Sequence, residues 1–219
     1  MGKAICPQIR GSENMENFKK GLYYFFGRVY VPKIIENCNE DILLHISDTP
    51  YNFYPGLRRL IKDIKPKYIV HTGDMVDNIK LELYPSRMEE YKKKVRVLID
   101  ILENSLASKI YLVLGNHDDA SLVTSLSKRS TIVEKSKVIE LDGTKYRISH
   151  YSEDIIKAPE MYNLFGHDLS LRTKNEYDRV YLNGISGINI ITLKNKNVFI
   201  LSYPYGTNED RMCKSNFGL

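Results

Sequence analysis

From Ile42 onward the chain alternates short apolar runs with amphipathic stretches. Residues 42–47 are nearly continuous in apolar side chains and bounded by polar ones, as expected of a strand buried on both faces. Leu57, Leu60, Ile61 and Ile64 then recur at helical spacing, with Pro55 suited to the first turn and Pro66 closing the element. Residues 68–71 read as a second buried strand. A helix over roughly 87–107 places Tyr91, Val95, Leu98, Leu102 and Leu106 on one stripe, and residues 110–114 make a third strand. This alternation of strand and helix implies a parallel sheet with right-handed crossovers.

The second half changes style. Residues 138–141 and 146–149 flank Asp142-Gly143, a hairpin signal, and residues 188–193 and 198–203 flank Lys194-Asn195-Lys196 in the same fashion. The expected fold is therefore α/β, with a parallel first half and an antiparallel second half. Residues 1–40 differ in kind: Phe18, Tyr23, Tyr24, Phe25, Phe26 and Tyr30 follow neither a clean helical stripe nor a clean alternation. We expect them to form an N-terminal extension on or beside a domain spanning 41–219. Residues 18–31 then either pack against that domain or offer aromatic side chains to a protein partner.

Composition narrows the class. At 219 residues, 42% hydrophobic and 27% charged, the chain can bury one sizeable core. It has no apolar stretch approaching the roughly 18 residues of a membrane span and no signal-peptide order near its start, so the expectation is a cytoplasmic protein with no membrane partner. Cys6, Cys38 and Cys213 are scattered and odd in number, which fits reduced thiols better than a disulfide framework. The net charge of +5 suits an anionic substrate. Because the basic residues are mixed with acids along the chain, nucleic acid is not indicated.

The chemistry gathers at strand ends. In open α/β sheets ligands bind beyond the carboxyl ends of parallel strands, and here those ends carry Asp48, then Gly73-Asp74-Met75-Val76-Asp77, then Gly115-Asn116-His117-Asp118-Asp119. His150 follows the second hairpin strand, and His167 stands in Phe165-Gly166-His167-Asp168. Singly, each has an ordinary reading: a helix cap, a turn or a hydrogen-bonded core histidine. In this order they make a mixed oxygen and nitrogen donor set suited to Mn²⁺, Fe²⁺, Zn²⁺, Co²⁺ or Ni²⁺.

The segments His71-Thr72-Gly73-Asp74-Met75-Val76-Asp77 and Leu114-Gly115-Asn116-His117-Asp118 resemble the calcineurin-like metallophosphoesterases, whose ordered pattern is Asp-x-His, Gly-Asp-x-x-Asp, Gly-Asn-His-Asp/Glu, a lone His and Gly-His-x-His. The resemblance runs from about residue 42 to 203, and Asn183-Gly184 is a weaker echo of a family loop. It implies the mixed-sheet α/β sandwich of that family. It also implies that Asp74 bridges two metals and that Asn116, His150 and His167 complete the second site. At both ends the pattern breaks, for Pro50 and Leu169 stand where the family has histidines serving the first metal. The first site would keep only Asp48 and the shared Asp74, so one tight ion is expected and a second weak or absent. His45 and His71 are expected to sit in the sheet as hydrogen-bonded groups, with Asp168 and Tyr51 near the defective positions.

By the same resemblance, His117 would stabilise the transition state or protonate the leaving oxygen, and Asp77 would orient its ring. The implied function is metal-dependent hydrolysis of a phosphate monoester or diester of unknown identity. The competing reading is a catalytically silent scaffold that keeps the fold.

Overall fold

The computed structural model describes residues 10–211. Cys6 and Cys213 lie outside that range. The strands are β1 (Ile42–Ile46), β2 (Tyr68–His71), β3 (Lys109–Val113), β4 (Thr131–Val133), β5 (Ser136–Leu141), β6 (Thr144–Ser149), β7 (Tyr162–Phe165), β8 (Lys174–Glu176), β9 (Arg179–Asn183), β10 (Ile188–Thr192) and β11 (Val198–Leu201). The helices are α1 (Arg10–Phe25), α2 (Lys33–Glu36), α3 (Tyr54–Ile64), α4 (Met88–Glu103), α5 (Ala120–Leu126), α6 (Ser152–Lys157) and α7 (Thr207–Arg211).

Two sheets form a sandwich, one in the order β11-β10-β1-β2-β3-β4 and the other β5-β6-β7-β9-β8. Strand parity divides the core. Leu43, Val70 and Tyr111 point toward Ile148, Leu164 and Leu182 between the sheets, whereas Leu44, Ile69 and Ile110 point the other way onto Leu57, Leu60, Val95 and Leu98 of α3 and α4. That double burial is why β1 and β2 carry apolar side chains on successive residues.

β1, β2 and β3 pair in parallel, and both anticipated hairpins are antiparallel. The rest of the second half departs from the antiparallel expectation: β6–β7 and β7–β9 are parallel. Between β6 and β7 the chain returns through α6, and between β7 and β9 it returns through β8, which runs antiparallel to β9. A second correction concerns α4, which ends at Glu103 instead of near 107. The Asn104 side chain donates to the Asp100 carbonyl and Ser105 Oγ to the Leu102 carbonyl, closing the last turn. Leu106 is thereby left outside the stripe, 80% exposed.

The aromatic run, which showed no clean period, is largely helical in α1. Tyr24 and Phe25 meet Tyr205, with ring centroids 5.8 Å apart in each pair. Val29, Val31 and Ile35 join the main core, while Phe18, Phe25 and Phe26 are exposed. No helix among the described residues is long and apolar enough to cross a membrane.

Candidate metal centre

The loops after β1, β2, β3, β6 and β7 bring Asp48, Asp74, Asn116, His150 and His167 together. Asp48, Asp74 and His167 all adopt positive φ, at 49°, 55° and 69°. Asp and His tolerate this left-handed region better than most residues, and residues held there cluster at functional sites. Glycines make the close approach possible: a Cβ on Gly73 would lie 2.5 Å from His150 Nδ1, and one on Gly166 would collide with Ser47 Oγ and Asp48 Oδ2.

Hydrogen bonds then fix which atoms face the centre. His150 Nδ1 lies 2.7 Å from the Thr72 carbonyl oxygen, so that nitrogen carries the proton and Nε2 presents its lone pair. The Asn116 amide nitrogen donates to Glu82 Oε2 at 2.5 Å, which turns Asn116 Oδ1 inward. His150 Nε2 then stands 3.1 Å from Asn116 Oδ1 and 3.5 Å from Asp74 Oδ2, with His167 Nδ1 at 3.2 Å. His150 Nε2 and Asn116 Oδ1 thus face each other with no proton of their own between them. A cation held by both would satisfy those lone pairs, and the donor chemistry fits a borderline divalent ion. Ligand-type atoms of Asp74, His150 and His167 all lie within 4.8 Å of one another. Burial pushes the Asp74 carboxyl well above its usual range, reinforced by the charges of Asp48, Asp118 and Asp77; positive charge placed there would reverse this.

The sequence profile of the calcineurin-like phosphoesterases matches residues 43–212, the span that holds all of these strand-end residues. The chain belongs to that family. No curated protein sequence matches it. Among solved structures, a novel archaeal phosphodiesterase is 18% identical over 73% of this chain and 99% of its own, with a TM-score of 0.50. Yfce, a phosphoesterase from E. coli, is 11% identical over 74% and 98%, with a TM-score of 0.46. Vacuolar protein sorting 29 from Cryptosporidium parvum is 14% identical over 74% and 97%, with a TM-score of 0.42. At 18% identity the first likeness speaks to the fold alone.

Calcineurin-like phosphoesterases use divalent metals, and at two positions where the family pattern has histidines this chain carries Pro50 and Leu169. Asp48 remains, its Oδ2 accepting from the His167 backbone N–H at 3.1 Å and from Ser47 Oγ at 2.5 Å. Pro50 is buried and Leu169 is 56% exposed. Asp168 does not replace the missing ligands, since its Oδ1 caps its own turn by accepting from Ser170 N and Oγ at 2.9 and 2.6 Å. Tyr51 carries Lys94 on its ring at 4.1 Å.

The sheet histidines are accounted for. His45 donates from Nε2 to Thr72 Oγ1 at 2.9 Å and accepts from Asn189 at 3.0 Å; His71 donates to Thr49 Oγ1 at 2.9 Å and accepts from Gly73 N at 3.2 Å. Burial, with a neighbouring histidine, pushes both rings down to about 3. Each is a neutral core group with both nitrogens engaged.

His117 lies beside the centre, its backbone N–H donating to Asp74 Oδ1 at 3.0 Å and its Nδ1 3.6 Å from Glu82 Oε2. Asp77 does not hold that ring through a hydrogen bond: Lys80 Nζ donates to its Oδ1 at 2.5 Å. Asp74, Asp77 and His117 nevertheless form a second group of ligand-type atoms within 4.8 Å of one another. Burial, then Asp48, pushes the Asp77 carboxyl up to about 6, with Lys80 pulling it back.

Four supporting residues were not assigned from sequence. Glu82 orients Asn116, and Lys80 pairs with Asp77. Asp118 accepts backbone N–H groups from Asp74, Met75 and Gly115 at 2.8–2.9 Å and the Tyr91 hydroxyl at 2.9 Å, locking the two motif loops together. Arg211 donates to the carbonyls of Asp48, Ser47 and Ile185 at 2.6, 3.0 and 3.1 Å. The Asn183-Gly184 echo also has a structural role, because Asn183 Nδ2 donates to the carbonyls of Asp168 and Leu171 at 2.6 and 2.9 Å. Substituting Asp118→Ala strands several donors at once. Chemical denaturation should show a loss of about 3 kcal/mol or more, since each unsatisfied buried donor costs about 1–3; a loss below about 1 kcal/mol would deny Asp118 the clamping role.

Proposed function

We propose that this protein hydrolyses a phosphate monoester or diester around one tightly held divalent transition ion. Asp74, Asn116, His150 and His167 are its ligands, and Asp48 is the remnant of the first position. The reading is carried by the convergence of His150 Nε2, Asn116 Oδ1 and Asp74 Oδ2, with the histidine tautomer set by Thr72. When bound, such an ion supplies charge for the phosphoryl oxygens and acidifies water. The protein supplies position: His117 faces the reacting group as acid or charge stabiliser, and Asp77 flanks it. A cavity of about 680 Å³ beside the centre, lined by Leu169, Arg172, Thr173 and Ile185 among others, has room for the rest of the substrate.

Protein purified without added metal should carry about one transition ion per chain, because one donor set is complete, and should hydrolyse a generic aryl phosphodiester. Elemental analysis that finds two tight ions would contradict the ligand assignment. A second reading, a silent scaffold, is favoured by the exposed rings of Phe18, Phe25 and Phe26, a surface fit for a protein partner. Metal-loaded protein without hydrolysis of mono- or diesters would select it.

A further inference from the structure

We propose that the Lys80 ammonium is the resident cation of the altered first metal position, where it binds the substrate's phosphoryl group in place of a second ion. This inference rests on the phosphoesterase reading above. Lys80 lines the same cavity as Asp48, Asp77, His167 and Leu169, which puts its charge on the side of the centre where the two histidines are missing. Its Nζ is 2.5 Å from Asp77 Oδ1, a side chain only 2% exposed. An ordinary (i, i+3) pair between solvated side chains would be worth little. Here the acid is buried among candidate ligands, and the ammonium is directed to it.

The lysine is also held in place from behind. Its neighbours Ile79 and Leu81 are buried, and Lys80 itself turns the chain with φ 52°. Arg87 Nη1 lies 3.3 Å from the carbonyls of Asn78 and Ile79, and the Lys80 carbonyl accepts from the backbone N–H groups of Leu83 and Tyr84 at 2.9 Å. With its backbone fixed, the stem reaches inward and the side chain is 22% exposed.

Charge explains why a cation is wanted there. Asp48, Asp74 and Asp77 together carry more negative charge than one divalent ion neutralises, which opposes an incoming phosphate. Lys80 supplies the remaining unit, and an ammonium binds phosphate oxygen well as a point charge. Arg211 cannot do the same, for its guanidinium is committed to backbone carbonyls. The role asked of Lys80 is electrostatic and involves no proton transfer.

The test compares Lys80→Met and Lys80→Arg with the wild type, each loaded with one equivalent of Mn²⁺. Inorganic phosphate binding is measured by calorimetry, and Mn²⁺ uptake by electron paramagnetic resonance. Loss of one charge-assisted contact should weaken phosphate binding by at least about tenfold in Lys80→Met, with the loss in KM exceeding that in kcat, whereas Lys80→Arg stays within about threefold. Lys80→Met should also admit a second, weak Mn²⁺ at the vacated carboxylates. Lys80→Gln serves the same purpose if the methionine variant does not fold. Unchanged phosphate affinity on removal of the charge overturns the proposal. If the wild type binds no phosphate and hydrolyses nothing, the phosphoesterase reading fails separately, and unchanged Mn²⁺ uptake then removes Lys80 as the resident cation too.

Discussion

His117→Ala should lower phosphoesterase turnover by at least about a hundredfold, the usual contribution of a positioned acid or base, while metal content stays close to that of the wild type. The residue is 8% exposed, and its ring belongs with Asp74 and Asp77 instead of the complete ligand set. Burial pushes its pKa down to about 4, so near neutrality the ring is uncharged before substrate arrives. An anionic phosphoryl group beside it favours the protonated form, raising the pKa toward the range where it can donate to a leaving oxygen. Turnover and metal are read on the same sample. Parallel loss of both would make His117 a ligand, and unchanged turnover would move the acid role elsewhere.

The parts of this architecture written in local sequence were legible. β1 and β2 announce themselves because both faces are buried, and Gly73-Asp74 and Gly115-Asn116 mark where β2 and β3 must stop. The ligand candidates stood out because aspartate, asparagine and histidine at successive strand ends are chemically conspicuous. What escaped was long-range or lacked a pattern. Arg211 reaches the Asp48 carbonyl across 163 positions, and nothing near Arg211 hints at it. Lys80 and Glu82 look like surface charges until Asp77 and Asn116 are placed beside them. Asp118 was visible as part of a motif, yet its role needs the neighbouring loop's N–H groups. β8 is exposed throughout and carries no apolar signal, so its pairing with β9 depends on the backbone ladder. α1 hid its period because residues 16–25 are all exposed, so no core-facing stripe is written into its aromatic run.

Pro50→His combined with Leu169→His should create a second metal site beside the first, if these two positions are where ligands are missing. Leu169 is more than half exposed at the cavity, so a histidine there displaces little packing. Pro50 is the harder position because it is buried. Its φ of −72° and ψ of 144° are open to any residue, however, and its carbonyl bond to Phe53 N survives the change. The loop before it is pinned independently: Asp48 N donates to the Gly73 carbonyl and Thr49 N to the Asp74 carbonyl, both at 2.9 Å. Histidine at 50 should therefore start from a backbone already in place, although ligand geometry tolerates only about half an ångström of error. If Lys80 is the cation resident there, an entering ion must displace it, so adding Lys80→Met should tighten the new site further. Under saturating Mn²⁺ or Zn²⁺ the double variant should hold about one more ion than the wild type, as three or four ligands suffice for a stable site. A variant that folds normally yet takes up no additional ion would show that Pro50 and Leu169 do not occupy the positions of the missing ligands.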